Sequence, residues 1–107
     1  MSNDNTNPQS EIDRIIHEPA RLKIMLQLSL VREADFRYLL FKTKLSRGNL
    51  SVQLQKLEAA GYIESLKQFV KRVPRTVVWI TDEGKKAFRN YKHQLVELLG
   101  SESEPEE

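Results

Sequence analysis

The sequence predicts a mainly α domain with one small β-hairpin, a single α+β unit. Three observations carry that expectation. Apolar residues recur at helical spacing through most of the chain, and the spacing breaks once, into the β-branched and aromatic run Val77-Val78-Trp79-Ile80. The chain's 107 residues are enough for one core. Apolar residues are 39% and charged residues 30%, a balance that suits a soluble globular domain and leaves no 18-residue apolar run to cross a membrane. The polar N-terminus has no basic or apolar signal segment, so a cytoplasmic location is expected. With no cysteine there is no disulfide, thiolate metal site or cysteine nucleophile.

Residues 1–9 are polar and aperiodic and are expected to be a disordered arm. Ser10 is positioned to cap a short helix with Ile12, Ile15 and Ile16 on one face, interrupted by Pro19. Proline suits the first turn of a new helix, and Leu22, Ile24, Met25, Leu26, Leu28 and Leu30 follow so densely that this segment is expected to be core on most sides. Asp35 caps a helix holding Phe36, Leu39 and Leu40 that ends among Lys42 to Lys44. Ser46 caps the next, about 47–60, with Leu50, Leu54 and Leu57 inward and Gly61 as its left-handed terminator. Two strands, about 62–69 and 76–81, then flank a connector holding Lys71, Arg72, Pro74 and Arg75. Thr81 or Asp82 caps a last helix striped by Phe88, Tyr91, Leu95 and Leu98. The domain therefore spans 10–100, and the acidic residues 101–107 form a second disordered tail.

Three helices with a short polar junction at Thr43 to Ser46, a hairpin with a basic tip and a last helix describe a winged helix-turn-helix. The charge agrees. All 17 Lys and Arg lie in residues 12–100 against nine acids, and residues 36–75 hold nine bases against only Glu58 and Glu64. Such a surplus marks a polyanion-binding surface. With Leu50, Leu54 and Leu57 buried, the opposite flank shows Gly48, Ser51, Val52, Gln55, Lys56 and Ala59 at 100° per residue, small or hydrogen-bonding side chains without an acid. Such a flank can enter a major groove, Gln55 bonding base edges and Val52 touching a thymine methyl group. Ser46, Arg47 and Asn49 sit at the helix N-terminus, where free N–H groups favour phosphate. Gly48 in a first helical turn needs a reason, either close approach of DNA or tight packing on the preceding helix.

Residues 46–63, Ser-Arg-Gly-Asn-Leu-Ser-Val-Gln-Leu-Gln-Lys-Leu-Glu-Ala-Ala-Gly-Tyr-Ile, resemble the recognition helix and first wing strand of the MarR and ArsR superfamily of prokaryotic transcriptional regulators. His17-Glu-Pro-Ala-Arg-Leu-Lys-Ile and the segment from Val73 through Thr81-Asp-Glu-Gly to Phe88 extend the resemblance over about 12–99, most closely to short MarR-like DNA-binding proteins. The resemblance implies a homodimer on double-stranded DNA, with recognition contacts at Ser46, Arg47, Gly48, Asn49, Ser51, Val52 and Gln55 and wing contacts at Lys71, Arg72 and Arg75. ArsR-type metal sensors carry a cysteine motif or paired Asp/His ligands on the last helix and often a histidine where this chain has Gln53. None of these is present, so no metal or other cofactor is expected.

The last helix, with Phe88, Tyr91, Leu95, Leu98 and Leu99, together with Ile12, Ile15 and Ile16, supplies more apolar surface than a three-helix core needs, which predicts a dimer interface. A small-molecule effector has room between dimer helices and core, but no residue set marks its site. His93 with Glu97 gives at most two metal ligands, and no nucleotide loop or catalytic constellation occurs, so no enzyme is expected. The competing reading is a winged-helix protein-interaction module, which has no need of a cationic wing.

Overall fold

The structure, a computed structural model, describes residues 11–103. Seven elements follow in order: α1 (Pro19–Ser29), β1 (Ala34–Asp35), α2 (Phe36–Thr43), α3 (Arg47–Ala59), β2 (Ile63–Val70), β3 (Val73–Ile80) and α4 (Asp82–Ser103). The strands form one antiparallel sheet in the order β1-β3-β2. This is the winged helix-turn-helix expected from the sequence. The arm 1–9, Ser10 and residues 104–107 lie outside the described residues.

The helix expected over Ile12 to Ile16 is a turn instead. Asp13 accepts from the backbone N–H of Ile15 at 2.8 Å and of Ile16 at 3.0 Å, and His17 N–H closes the turn on Asp13 O. The reason lies one residue before Pro19, whose ring disfavours helical backbone for its predecessor. Glu18 is accordingly extended (φ −157°) and becomes the N-cap of α1, its carboxylate accepting from Arg21 N–H at 2.7 Å. Along α1, Ala20, Ile24, Met25 and Leu28 are buried, whereas Leu26 and Leu30 are exposed. The dense apolar run thus buries one stripe, not most sides.

Cap chemistry sets the other helix starts. Asp35 accepts from Tyr38 N–H, Ser46 from Asn49 N–H, and Thr81 Oγ1 from Gly84 N–H at 2.9 Å, which settles the cap of α4 on Thr81. At the end of α3, Gly61 at φ 85° lets Tyr62 N–H reach Leu57 O and Gly61 N–H reach Glu58 O, a Schellman closure. Leu50, Leu54 and Leu57 then pack with Ile24, Leu28, Leu39, Ile63 and Val78 in the core. Buried Thr43 is satisfied by donating to Leu39 O at 2.7 Å and accepting from Leu45 N–H.

The hairpin is longer and tighter than its sequence suggests. Its register runs unbroken from Ile63↔Ile80 to Val70↔Val73, leaving a two-residue turn, Lys71-Arg72, with both residues in left-handed backbone (φ 52° and 68°). Such primed turns match the twist of the flanking strands. Pro74 and Arg75 are strand residues, and β1 reaches β3 only at Val77 and Val78, so Pro74 interrupts no pairing with β1. The α4 backbone continues through Ser103, past the expected boundary at 100.

Ile16, Phe88 and Tyr91, expected at a dimer interface, are buried within one chain. Helical spacing identifies a buried stripe, and it does not distinguish a chain's own core from another chain. Ile12, Ile15 and Leu95 are half-buried against that core, Leu98 is half-buried, and Val96 and Leu99 are exposed.

Candidate nucleic-acid interface

The junction between α2 and α3 is three residues long. Lys44 ends α2 in left-handed backbone (φ 62°) with its N–H on Leu40 O, Leu45 turns inward, and Ser46 opens α3. Beyond this tight turn, α3 turns Leu50, Leu54 and Leu57 into the core on one side. Ser46, Arg47, Gly48, Asn49, Ser51, Val52, Gln55 and Lys56 all lie on the exposed side. The Arg47 guanidinium lies 5.7 Å from the centre of the Phe36 ring, which holds it at the first turn of α3. A Cβ added to Gly48 meets nothing within 4 Å. Packing against α2 therefore does not explain this glycine.

Lys71 and Arg72 project from the hairpin tip and are exposed. Arg75 does not join them. It stands in β3 opposite Gln68, its Nε 3.3 Å from Asp35 Oδ2, and lines a groove between α3 and the hairpin. Half-exposed pairs of this kind contribute only about 0.2–1 kcal/mol, so Asp35 orients Arg75 without fixing it. The groove encloses about 780 Å³.

Two cations that the sequence reading passed over, Arg37 and Lys67, also line this groove. Lys67 is found by strand alternation, since Ile63, Ser65, Lys67 and Phe69 share one face and Ile63 is buried. Glu58 lines the groove as well, seven residues after Ser51 and so on nearly the same helical face, with Ser65 Oγ 3.3 Å from its carboxylate. The flank expected to be acid-free is so only through Lys56.

Behind the interface, Asp13 ties the N-terminal turn to the rest. It accepts from Tyr62 OH at 2.7 Å, and its N–H donates to Gln94 on α4. Burial first, then the bond to Asp13 and its charge, hold the Tyr62 phenol far above its usual range, so it stays a donor at any physiological pH. His17 Nδ1 lies 3.0 Å from Tyr91 OH, a structural use for that histidine. Burial likewise raises Tyr91. Among the described residues no three His, Cys, Asp or Glu side chains converge as a metal site, and no helix is long and apolar enough to cross a membrane.

A helix-turn-helix with its second helix exposed beside a cationic hairpin defines a winged helix DNA-binding domain. The family model of that description matches residues 20–99, and the chain belongs to this family. It is 35% identical over 85 residues to an uncharacterized protein of Methanocaldococcus jannaschii, covering 79% of this chain and 92% of that one. A transcriptional regulator homologue from Pyrococcus horikoshii superposes with a TM-score of 0.77 at 34% identity, over 85% of this chain and 90% of that chain. A MarR family regulator from Streptomyces coelicolor, solved in complex with DNA, shares the fold with a TM-score of 0.65 at 19% identity, over 88% of this chain and 63% of that one.

Proposed function

We propose that the protein is a transcriptional regulator that binds double-stranded DNA sequence-specifically as a homodimer, with α3 in the major groove and the hairpin tip on flanking backbone or minor groove. The observation that carries this reading is the exposure of Ser46, Arg47, Gly48, Asn49, Ser51, Val52, Gln55 and Lys56 on α3 and of Lys71 and Arg72 at the hairpin tip, with a groove between α3 and the hairpin lined by Arg37, Lys67 and Arg75. Helix dipole and cations supply phosphate affinity there, and Gln55 and Val52 supply base readout. The Pyrococcus regulator homologue and the DNA-bound Streptomyces regulator support the class of function. The cytoplasm is the compartment this partner implies.

The dimer is assigned to Leu95, Leu98 and Leu99 of α4 with neighbouring Val96 and the half-buried Ile12 and Ile15. Twofold pairing presents two α3 helices about 34 Å apart, one turn of duplex. Selection of bound duplexes from a random pool, followed by footprinting, tests this directly. The expected product is an inverted repeat with half-sites about one helical turn apart. Gln55→Ala should change the selected sequence more than the affinity for the pool, because a base-edge contact carries sequence information and a phosphate contact does not. Selection of no sequence from the pool would contradict specific binding.

Gly48→Ala separates fold from function at this surface. The new methyl group meets no atom of the protein and removes a flexible residue from a helix, so unfolding should require up to about 1 kcal/mol more in urea. Affinity for the selected duplex should nonetheless fall several-fold, and unchanged affinity would show that DNA does not approach this backbone.

A further inference from the structure

A chain of hydrogen bonds runs from α1 into the face of α3 assigned to DNA. Arg21 is its centre, with a side chain only 12% exposed. Its Nε donates to Ile15 O at 2.5 Å and its Nη1 to Gln53 Oε1 at 2.7 Å, while Glu18 Oε1 stands 3.9 Å from Nη1. Gln53 Nε2 donates in turn to Asn49 Oδ1 at 3.0 Å.

The polarity of this chain is set at the arginine. A guanidinium has five N–H donors and no acceptor, so the Gln53 atom that meets it is the oxygen. Gln53 therefore turns its nitrogen toward Asn49, and Asn49 answers with its oxygen. The Asn49 Nδ2 hydrogens remain, on an exposed residue in the first turn of α3, with no bonded acceptor among the described residues. A Gln–Asn bond four residues apart on a wet helix surface adds little to stability. Its consequence is orientation.

We propose that Arg21, acting through Gln53, is a positioning residue that presents Asn49 as a hydrogen-bond donor, so that its partner on DNA is an acceptor, a phosphate oxygen or a purine N7. This rests on the DNA-binding reading above. Asn49 is the contact, and Arg21 and Gln53 touch no DNA. The usual Asn–adenine pair uses the amide oxygen as well as the nitrogen, and here one of that oxygen's two lone pairs is already taken by Gln53, whereas among the described residues both nitrogen hydrogens are open.

Two variants at one position test the relay. Gln53→Glu still accepts from Arg21 but offers Asn49 an acceptor, so the Asn49 amide should reverse and show its oxygen outward. Gln53→Met removes the bond to Asn49 without adding charge. In the free protein, the Asn49 side-chain amide signals in a nitrogen–proton correlation spectrum should move in both variants, with the backbone pattern of the domain retained. Unmoved Asn49 signals would overturn the proposal whether or not DNA binds.

On the selected duplex, Asn49→Ala and Gln53→Glu should each weaken binding about tenfold, the order expected for one directional contact. In the Asn49→Ala background, Gln53→Met should cost nothing further, and the remaining loss from Gln53→Glu should be the salt-sensitive part due to its added charge. Equal losses from Gln53→Met in both backgrounds would overturn the relay, as would an Asn49→Ala variant that binds like the wild type. A wild-type protein that binds no duplex would instead overturn the DNA-binding reading, leaving the amide spectra to decide the positioning of Asn49. Methylphosphonate and 7-deazapurine substitutions then distinguish the two acceptors, since the true partner's loss should cost the wild type more than Asn49→Ala, whereas the other's should cost both proteins equally.

Discussion

Gly84→Ala should destabilise the domain by about 3 kcal/mol or more, the order seen when a rigid contact in a packed region is overfilled. Gly84 is buried in the first turn of α4, where an added Cβ would fall inside contact distance of Tyr62 O and 2.9 Å from Ile80 Cγ1. The carbonyl is backbone and cannot swing away, because it already accepts from Thr81 N–H at 3.0 Å. Thr81 is also tied, donating to Gly61 O at 2.7 Å and accepting from Gly84 N–H. To admit one methyl group, α4 must lift from the start of β2 and give up its cap. A melting transition lowered by more than about 10 °C is expected for a domain of this size. The contrast with Gly48, whose Cβ would meet nothing within 4 Å, makes the pair informative, and a Gly84→Ala protein that melts with the wild type would refute the close approach.

The double substitution Lys71→Asn with Arg72→Gly should stabilise the protein while crippling its grip on DNA. Both residues hold left-handed backbone, which costs an ordinary L-residue on the order of 1 kcal/mol and suits Asn-Gly in a two-residue primed turn. Urea unfolding should therefore shift upward by about 1 kcal/mol. The same change removes both exposed cations of the tip. Affinity should fall on all duplexes alike, by about one to two orders of magnitude at low salt, and the slope of log affinity against log salt should become shallower by about two. A hairpin that served only the fold would show the gain in stability without the loss of binding. Two cations kept at a turn that prefers Asn-Gly are what a selected polyanion contact would leave behind.

Much of this molecule is legible in the sequence because its decisive signals are local. Asp35, Ser46 and Thr81 cap the helices that follow them, Gly61 ends α3, and Leu50, Leu54 and Leu57 face inward. From these the exposed flank of α3 follows by helical geometry alone. The misreadings arise where a distant or opposed constraint decides. Ile12, Ile15 and Ile16 have helical spacing, but Pro19 extends Glu18 and Asp13 folds the segment into a turn. Pro74 reads as a turn residue, yet it lies in β3, where the hairpin register continues past it to Val70↔Val73. The two-residue strand β1 has no periodicity to detect, and it is β1 that brings Asp35 to Arg75. Likewise the stripe of α4 gives no hint that Phe88 and Tyr91 are consumed by the chain's own core. The Arg21–Gln53 bond joins residues 32 apart and becomes visible only once α1 and α3 are packed.

The central claim is that the face formed by α3 and the hairpin tip is a DNA-binding surface. Titration of the wild-type protein with the selected duplex over a series of salt concentrations tests it most directly. Binding that weakens steeply with salt is predicted, together with a shallower slope when Lys71 and Arg72 are replaced and a footprint of two half-sites about one turn apart. Absence of duplex binding at low salt, or binding with the same slope in both proteins, would contradict the account.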